Sequence, residues 1–240
     1  MTESVPRLFI FPHAGGSASF YVPFSKAFST EMKRIAVQYP GASGGHGHST
    51  VPSIQELADS IYDILLRAPG AASPTAFFGH SMGALVAFEV TRRFEAAGMP
   101  ITALFVSASS APERMRKEYF RDLSDDELVK FLIELSGTDP KVLNNKDFVE
   151  LILPSLRGYY GSIAGYTCGP DATVSCPIYA FMGTDDLLAP YDNVCAWSAH
   201  TTSDFAVRVF PGSHFYFAEH LPDVVSDVET RFFGLAGIPC

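Results

Sequence analysis

Lysine and arginine are scarce in this chain: 17 of its 240 residues, against 26 aspartates and glutamates, for a formal charge of -9. A surplus of that sign repels phosphate backbones and anionic lipid, which argues against nucleic acid and membrane surfaces as partners. Cysteine is sparse too. Cys168, Cys176, Cys195 and Cys240 form no C-x-x-C pair and have no histidines at zinc-finger intervals, so no metal centre is expected. Free thiols in a reducing cytosol fit better. No window approaches the roughly 18 apolar residues of a membrane span. The opening "MTESVPRLFIF" lacks a basic flank followed by a cleavable apolar segment. Internal repeats are missing, and low-complexity sequence is confined to the Gly/His-rich "GASGGHGHS". These absences predict a soluble cytoplasmic protein that needs neither metal nor cofactor.

What the chain does have is hydrophobic content, 47% of residues, enough for one α/β domain spanning 1–240. Short apolar runs closed by Gly, Pro or Ser occur at "RLFIF" (7–11), "RIAVQY" (34–39), "TAFFG" (75–79), "ALFVSA" (103–108), "IYAFMG" (178–183) and "FAVRVF" (205–210). Buried parallel strands read this way. Between them lie helical patterns. "SIQELADSIYDILLRA" places Ile54, Leu57, Ile61, Ile64 and Leu65 on one face, and "GALVAFEVTRRFEAAG" ends in a glycine stop at Gly98. Alternating strand and helix predict a mostly parallel sheet covered on both faces. The alternation breaks from about 112 to 170. There the sequence offers only helices, "SDDELVKFLIELSG", opened by Ser124 and three acidic residues, and "KDFVELILPSLRGYY". An all-helical insertion before the fifth strand reads as a lid, with Phe131, Leu132, Phe148 and Leu151 either facing a substrate or packing the lid down.

"GHSMG" (79–83) fits G-x-S-x-G with Ser81 at its centre. The pentapeptide alone is weak, but this one follows a strand and opens a helix, the setting that holds a serine out on a strained turn. Gly79 and Gly83 permit the tight crossing. A serine hydroxyl needs a base, and the base needs an orienting acid, in the chain order Ser, acid, His. His214, in the loop "FPGSHFYF" after the last strand, is placed to be the base. His200 and His220 read as surface or capping residues. "FMGTDDLLAP" offers Asp185 and Asp186; position favours Asp186 in G-x-x-D, with Asp185 forming the turn. The loop "FPHAGGSASF" supplies Ala14, whose N–H together with that of Met82 would form an oxyanion hole; alternatively Gly15 and Gly16 only permit a turn before a helix capped by Ser17 or Ser19. His13 and His80 are expected near the site in structural hydrogen bonds.

Taken together, "LFIFPHAGGSASFY", "AVQYPG", "FFGHSMGALVAFEVTRRFEAAG", "LFVSASSAP", "LPSLRGYY", "CPIYAFMGTDD" and "RVFPGSHFYF" resemble the type II thioesterases of polyketide and non-ribosomal peptide synthases, most closely the mycobacterial-type members linked to complex lipid assembly. The likeness runs from Leu8 to about His220. It implies an α/β-hydrolase with a helical lid that removes acyl groups from the phosphopantetheine arm of acyl or peptidyl carrier proteins. The family's nucleophile, acid and base fall on Ser81, Asp186 and His214. Departures occur at "PGASGGHGHST" and "LRGYY", which leaves acyl preference open. A carboxylesterase of small esters would use the same residues, and a catalytically idle carrier-binding module would keep only the fold. Because carriers of this kind are usually acidic, a docking patch must be local in an acidic chain. "ERMRKEYFR" supplies Arg114 with Arg116, Lys117 and Arg121 for it; the plainer reading is a solvated helix face.

Overall fold

A computed structural model of the protein describes residues 5–39, 51–68, 73–135, 146–169 and 171–238. Strands β1 (Arg7–Phe11), β2 (Lys33–Ala36), β3 (Thr75–His80), β4 (Ala103–Ser107), β5 (Ile178–Gly183) and β6 (Phe205–Phe210) form one sheet in the order β2-β1-β3-β4-β5-β6. Every pairing is parallel. The apolar runs predicted for β1, β5 and β6 coincide with the strands end to end. β2 is shorter than predicted: beyond Ala36, Val37 and Tyr39 turn inward, and the Tyr39 phenol donates to Pro12 O at 2.8 Å.

The helices are α1 (Val22–Ala27), α2 (Ile54–Leu66), α3 (Met82–Ala96), α4 (Lys117–Asp122), α5 (Asp125–Glu134), α6 (Lys146–Gly165), α7 (Tyr191–Cys195) and α8 (Leu221–Ala236). Side chains of the inner strands alternate between the two faces. Phe9, Phe11, Phe77, Leu104, Val106 and Ile178 pack with α2 and α3, while Leu8, Ile10, Phe78, Phe105 and Phe181 pack with α1 and α8. Burial on both faces is why these strands read as unbroken apolar runs. β2 and most of β6, at the edges, are only partly covered.

Sequence chemistry sets the helix ends. Ser53 caps α2 in a reciprocal box with Glu56, and Ser124 caps α5 in the same way: its Oγ accepts the Glu127 N–H at 3.3 Å, and Glu127 accepts the Ser124 N–H at 2.7 Å. Gly98, at φ +73°, ends α3 as predicted. One residue of the predicted α2 stripe is misplaced. Ile54, Leu57, Ile61 and Leu65 are buried, but Ile64, at the stripe's margin, is 59% exposed.

The described residues between β4 and β5 carry no strand, only a 3-10 turn (Pro112–Arg114), α4, α5 and α6. α6 runs past the predicted end at Tyr160 to Gly165 and accommodates Pro154 within it. From β1 the chain passes to β2 on one side and returns to β3 on the other, so strand order reverses between β1 and β3. Loops leaving the C-terminal ends of two such strands diverge and open a crevice. Residues 12–16 and Ser81 lie there.

Candidate active site

β3 ends at His80 and α3 starts at Met82, so the reversal from strand to helix falls on Ser81, which adopts φ 57° and ψ -122°. For a residue with a Cβ this costs about 1–3 kcal/mol and persists only where the surroundings impose it. Here they do: the Ser81 N–H donates to Ser107 O at 2.8 Å and Ser81 O accepts the Ala84 N–H at 2.9 Å. The motif glycines allow the approach. A Cβ on Gly79 would lie 2.3 Å from Gly83 O, and one on Gly83 would lie 2.1 Å from Phe11 O and 2.6 Å from Pro12 O. The first turn of α3 therefore rests on the backbone leaving β1. This contact sets the segment bearing Ala14 against the one bearing Met82, whose N–H is the first of the helix and has no acceptor within it.

The acid and base meet on the far side of the sheet's centre. His214 Nδ1 lies 2.8 Å from Asp186 Oδ2, and Asp186 Oδ1 accepts the Leu188 N–H at 2.9 Å. Both residues are buried. Backbone clips fix the pair: Thr184 N–H donates to Phe210 O at 2.8 Å and Asp185 N–H to Gly212 O at 2.9 Å. A Cβ on Gly183 would strike Ser213 O at 2.3 Å, so only glycine lets the end of β5 lie this close to the His214 loop. Of the two adjacent aspartates, the structure brings Asp186 to the imidazole and leaves Asp185 exposed in the turn.

His13 and His80 sit beside this pair in structural hydrogen bonds, as expected. His13 Nδ1 is 2.8 Å from the Tyr21 hydroxyl, and its pKa is driven down to about 3 by burial and by the charge of His214. His80, fully buried, has its Nδ1 2.9 Å from Ser107 Oγ; burial, then His214 and His13, hold its pKa well below the usual imidazole value. Ser107 Oγ also lies 2.7 Å from the hydroxyl of Tyr216. Sequence reasoning missed Ser107 and Tyr216. Tyr216 stands two residues after His214, but nothing local signals a partner 109 positions away.

Over Ser81 the helical insertion forms a roof. A cavity of about 20 Å³ is lined by Ser81, by Met115, Phe120, Tyr160 and Ile163 from the insertion, and by Leu188 beside Asp186. That is room for about one water molecule. Of the residues expected either to face a substrate or to pack the insertion down, Phe131 packs edge-on against Phe120 and Tyr160. Leu132 packs partly buried against the core, and Leu151 is 62% exposed. The Phe148 side chain, the whole "PGASGGHGHST" departure (40–50) and Cys240 lie outside the described residues. In the basic run, Arg114, Arg116 and Arg121 are exposed and Lys117 is half-buried; Arg116 also lines the cavity at Ser81.

His200 is not the surface residue the sequence suggested. It is 4% exposed, between Phe88 and Trp197, with Nδ1 2.8 Å from Ala172 O and Nε2 2.7 Å from Glu113 Oε2. One ring thus touches both flanks of the insertion. Just beyond α6, the Tyr166 hydroxyl donates to Glu89 Oε1 of α3 at 2.8 Å. His220 occupies the N-cap position of α8 without a side-chain cap. Ser17 Oγ accepts the Phe20 N–H at 3.3 Å, ahead of α1 rather than capping it.

Among the described residues no helix is long and apolar enough to cross a membrane. Comparison with known proteins places this geometry. The thioesterase domain family matches residues 6–232. Thioesterase TesA of Mycobacterium marinum is 47% identical over 226 residues, covering 94% of this chain and 90% of that protein. The structure of BorB, the type II thioesterase from the borrelidin biosynthetic cluster, matches with a TM-score of 0.84 at 40% identity, over 95% of this chain and 93% of BorB. RedJ, a thioesterase of the prodiginine pathway in Streptomyces coelicolor, matches with a TM-score of 0.82 at 30% identity, over 94% of this chain and 85% of RedJ. The fold is that of the α/β-hydrolases, and the chain belongs to the thioesterase family.

Proposed function

We propose that the protein is a type II thioesterase that hydrolyses acyl thioesters from the phosphopantetheine arm of acyl or peptidyl carrier proteins, serving polyketide, non-ribosomal peptide or complex lipid synthases. The buried Asp186–His214 pair, with a serine on a strained strand-to-helix turn directly after His80, whose ring centroid lies 5.0 Å from that of His214, carries the reading. The biosynthetic setting is supported by BorB, a type II thioesterase of the borrelidin cluster, and by YbtT, one of the yersiniabactin pathway.

In this reading the chain is one α/β-hydrolase domain whose segment 112–170 acts as a lid, working in the cytoplasm beside its synthase. Ser81 Oγ attacks the thioester carbonyl as its proton passes to His214 Nε2, and Asp186 holds Nδ1–H and stabilises the imidazolium. Charge on the carbonyl oxygen is met by the N–H groups of Ala14 and Met82. The C–S bond breaks, the sulfur leaves with the proton from His214, and the acyl group remains on Ser81. Water, deprotonated by His214, then releases the acid and restores the serine. Arg116, Lys117 and Arg121 are assigned to carrier docking at the mouth of the site.

The test compares parent and Ser81→Ala protein on an acyl carrier, a small oxygen ester and a fluorophosphonate probe. The parent should free carrier thiol and take up the probe; the variant should lose at least about ten-thousandfold in turnover and not label. Preference for the oxygen ester would instead make the protein a carboxylesterase, and a parent that neither labels nor turns over would leave only a binding module.

A further inference from the structure

We infer that Tyr216, Ser107 and His80 form a buried hydrogen-bonded brace that sets the separation of Ser81 and His214, making His80 a positioning residue for the reaction. The inference rests on the proposed roles of Ser81 and His214. His80 immediately precedes Ser81, and Tyr216 follows His214 by two residues. Ser107, at the end of β4, lies between them and touches both. Its carbonyl takes the Ser81 N–H at 2.8 Å, and its hydroxyl stands 2.9 Å from His80 Nδ1 and 2.7 Å from the Tyr216 hydroxyl. All three residues are at most 1% exposed.

Proton bookkeeping gives the chain a direction. The phenol of Tyr216 donates to Ser107 Oγ, the serine hydroxyl donates to His80 Nδ1, and His80 then carries its proton on Nε2. The reverse direction would leave the phenol proton without an acceptor as well as a bare Nε2. In the favoured direction the single unpaired group is His80 Nε2, a buried atom with no hydrogen-bond partner among the described residues. It lies among the rings of His214, Phe215 and Phe217, at centroid distances of 5.0, 5.1 and 4.9 Å. A side chain present only to fill space would avoid an unpaired buried N–H. What an imidazole adds is the acceptor at Nδ1 that terminates the brace. Burial keeps this ring neutral, so it does not oppose the charge that His214 gains during turnover.

The links can be cut one at a time. Tyr216→Phe and Ser107→Ala each remove one oxygen and leave the backbone bond from Ser81 to Ser107 in place. Each should lower kcat, and the fluorophosphonate labelling rate of Ser81, about tenfold, with KM within about twofold, because orientation rather than binding is lost. The double variant should lose no more than either single one, since one cut already opens the chain. At position 80, Asn places an amide where Nδ1 stands, so His80→Asn should retain most of the rate that His80→Leu loses. Circular dichroism and a urea midpoint confirm folding of each variant. Full kcat in folded Tyr216→Phe and Ser107→Ala, or losses that simply multiply in the double variant, would overturn the brace. Asn and Leu performing alike at position 80 would do the same. The proposed function fails separately, through a parent that Ser81→Ala does not impair, and a parent without turnover or labelling sinks both.

Discussion

Replacing Asp186 by Asn changes one oxygen to an amide nitrogen at a site with two fixed demands. Oδ2 faces His214 Nδ1 at 2.8 Å, and Oδ1 accepts the Leu188 N–H at 2.9 Å. An asparagine has one acceptor for these two donors. If its oxygen stays with Leu188, its NH2 faces Nδ1, which must then present a lone pair. The imidazole proton moves to Nε2, where the base needs to be bare. If the oxygen stays with His214, two N–H groups confront each other in a buried loop, at a cost of about 1–3 kcal/mol. In neither orientation is the developing imidazolium offset by a negative charge. The expected loss in kcat is about a thousand- to ten-thousandfold, roughly 4–5.5 kcal/mol of barrier. Asp185→Asn is the control. Its side chain is exposed and its N–H is held by Gly212 O, a bond that Asn keeps. Turnover within about threefold of the parent is expected, as for surface substitutions generally. Thiol release from an acyl thioester, followed with a chromogenic thiol reagent, measures both. The reasoning is refuted if Asp185→Asn proves the more damaging, or if Asp186→Asn keeps more than a tenth of parental kcat.

Gly83→Ala would drive a methyl group into the carbonyls of Phe11 and Pro12, backbone atoms that cannot turn aside, so a loss of about 2–3 kcal/mol or more in urea unfolding is expected. Gly161→Ala, inside α6 with nothing within 4 Å of the new Cβ, should gain about 0.5–1 kcal/mol; equal effects at the two sites would contradict the crossing argument. His13, with a pKa pushed to about 3, and His80, with one well below 6.5, both take up protons only on unfolding once pH falls under about 6.5. Stability is therefore complete above that pH and declines below it, by up to about 1.4 kcal/mol per pH unit for each ring. A urea midpoint that stays level from pH 7 to pH 5 would be incompatible with this. Reversing Lys117 and Arg121 to Glu should raise KM for an acyl carrier, less so in high salt, and leave a small acyl thioester unaffected; equal losses on both substrates would point to damage in the roof.

The sheet was legible because each buried parallel strand is a short apolar run with a breaker at its end, and Ser81, Asp186 and His214 all follow such ends. The glycines of "GHSMG" and "FMGTDD" mark backbone approaches that local sequence encodes. What stayed hidden depends on partners far along the chain. Nothing near His200 announces Glu113 or Ala172, and nothing near Tyr216 announces Ser107. Helical periodicity likewise places Leu151 on an apolar stripe without saying that no neighbour covers it, and it left the lining of the cavity to Met115, Phe120, Tyr160 and Ile163.

The anchoring of the insertion separates reactivity from access. Its flanks are pinned through His200 to Glu113 and Ala172, and through Tyr166 to Glu89 on the helix behind Ser81. None of these contacts involves Ser81, Asp186 or His214. Substitutions between the pins would therefore reshape the roof over Ser81 while leaving the Asp186–His214 bond and the backbone bonds of Ser81 in place, because those bonds are made by residues outside the insertion.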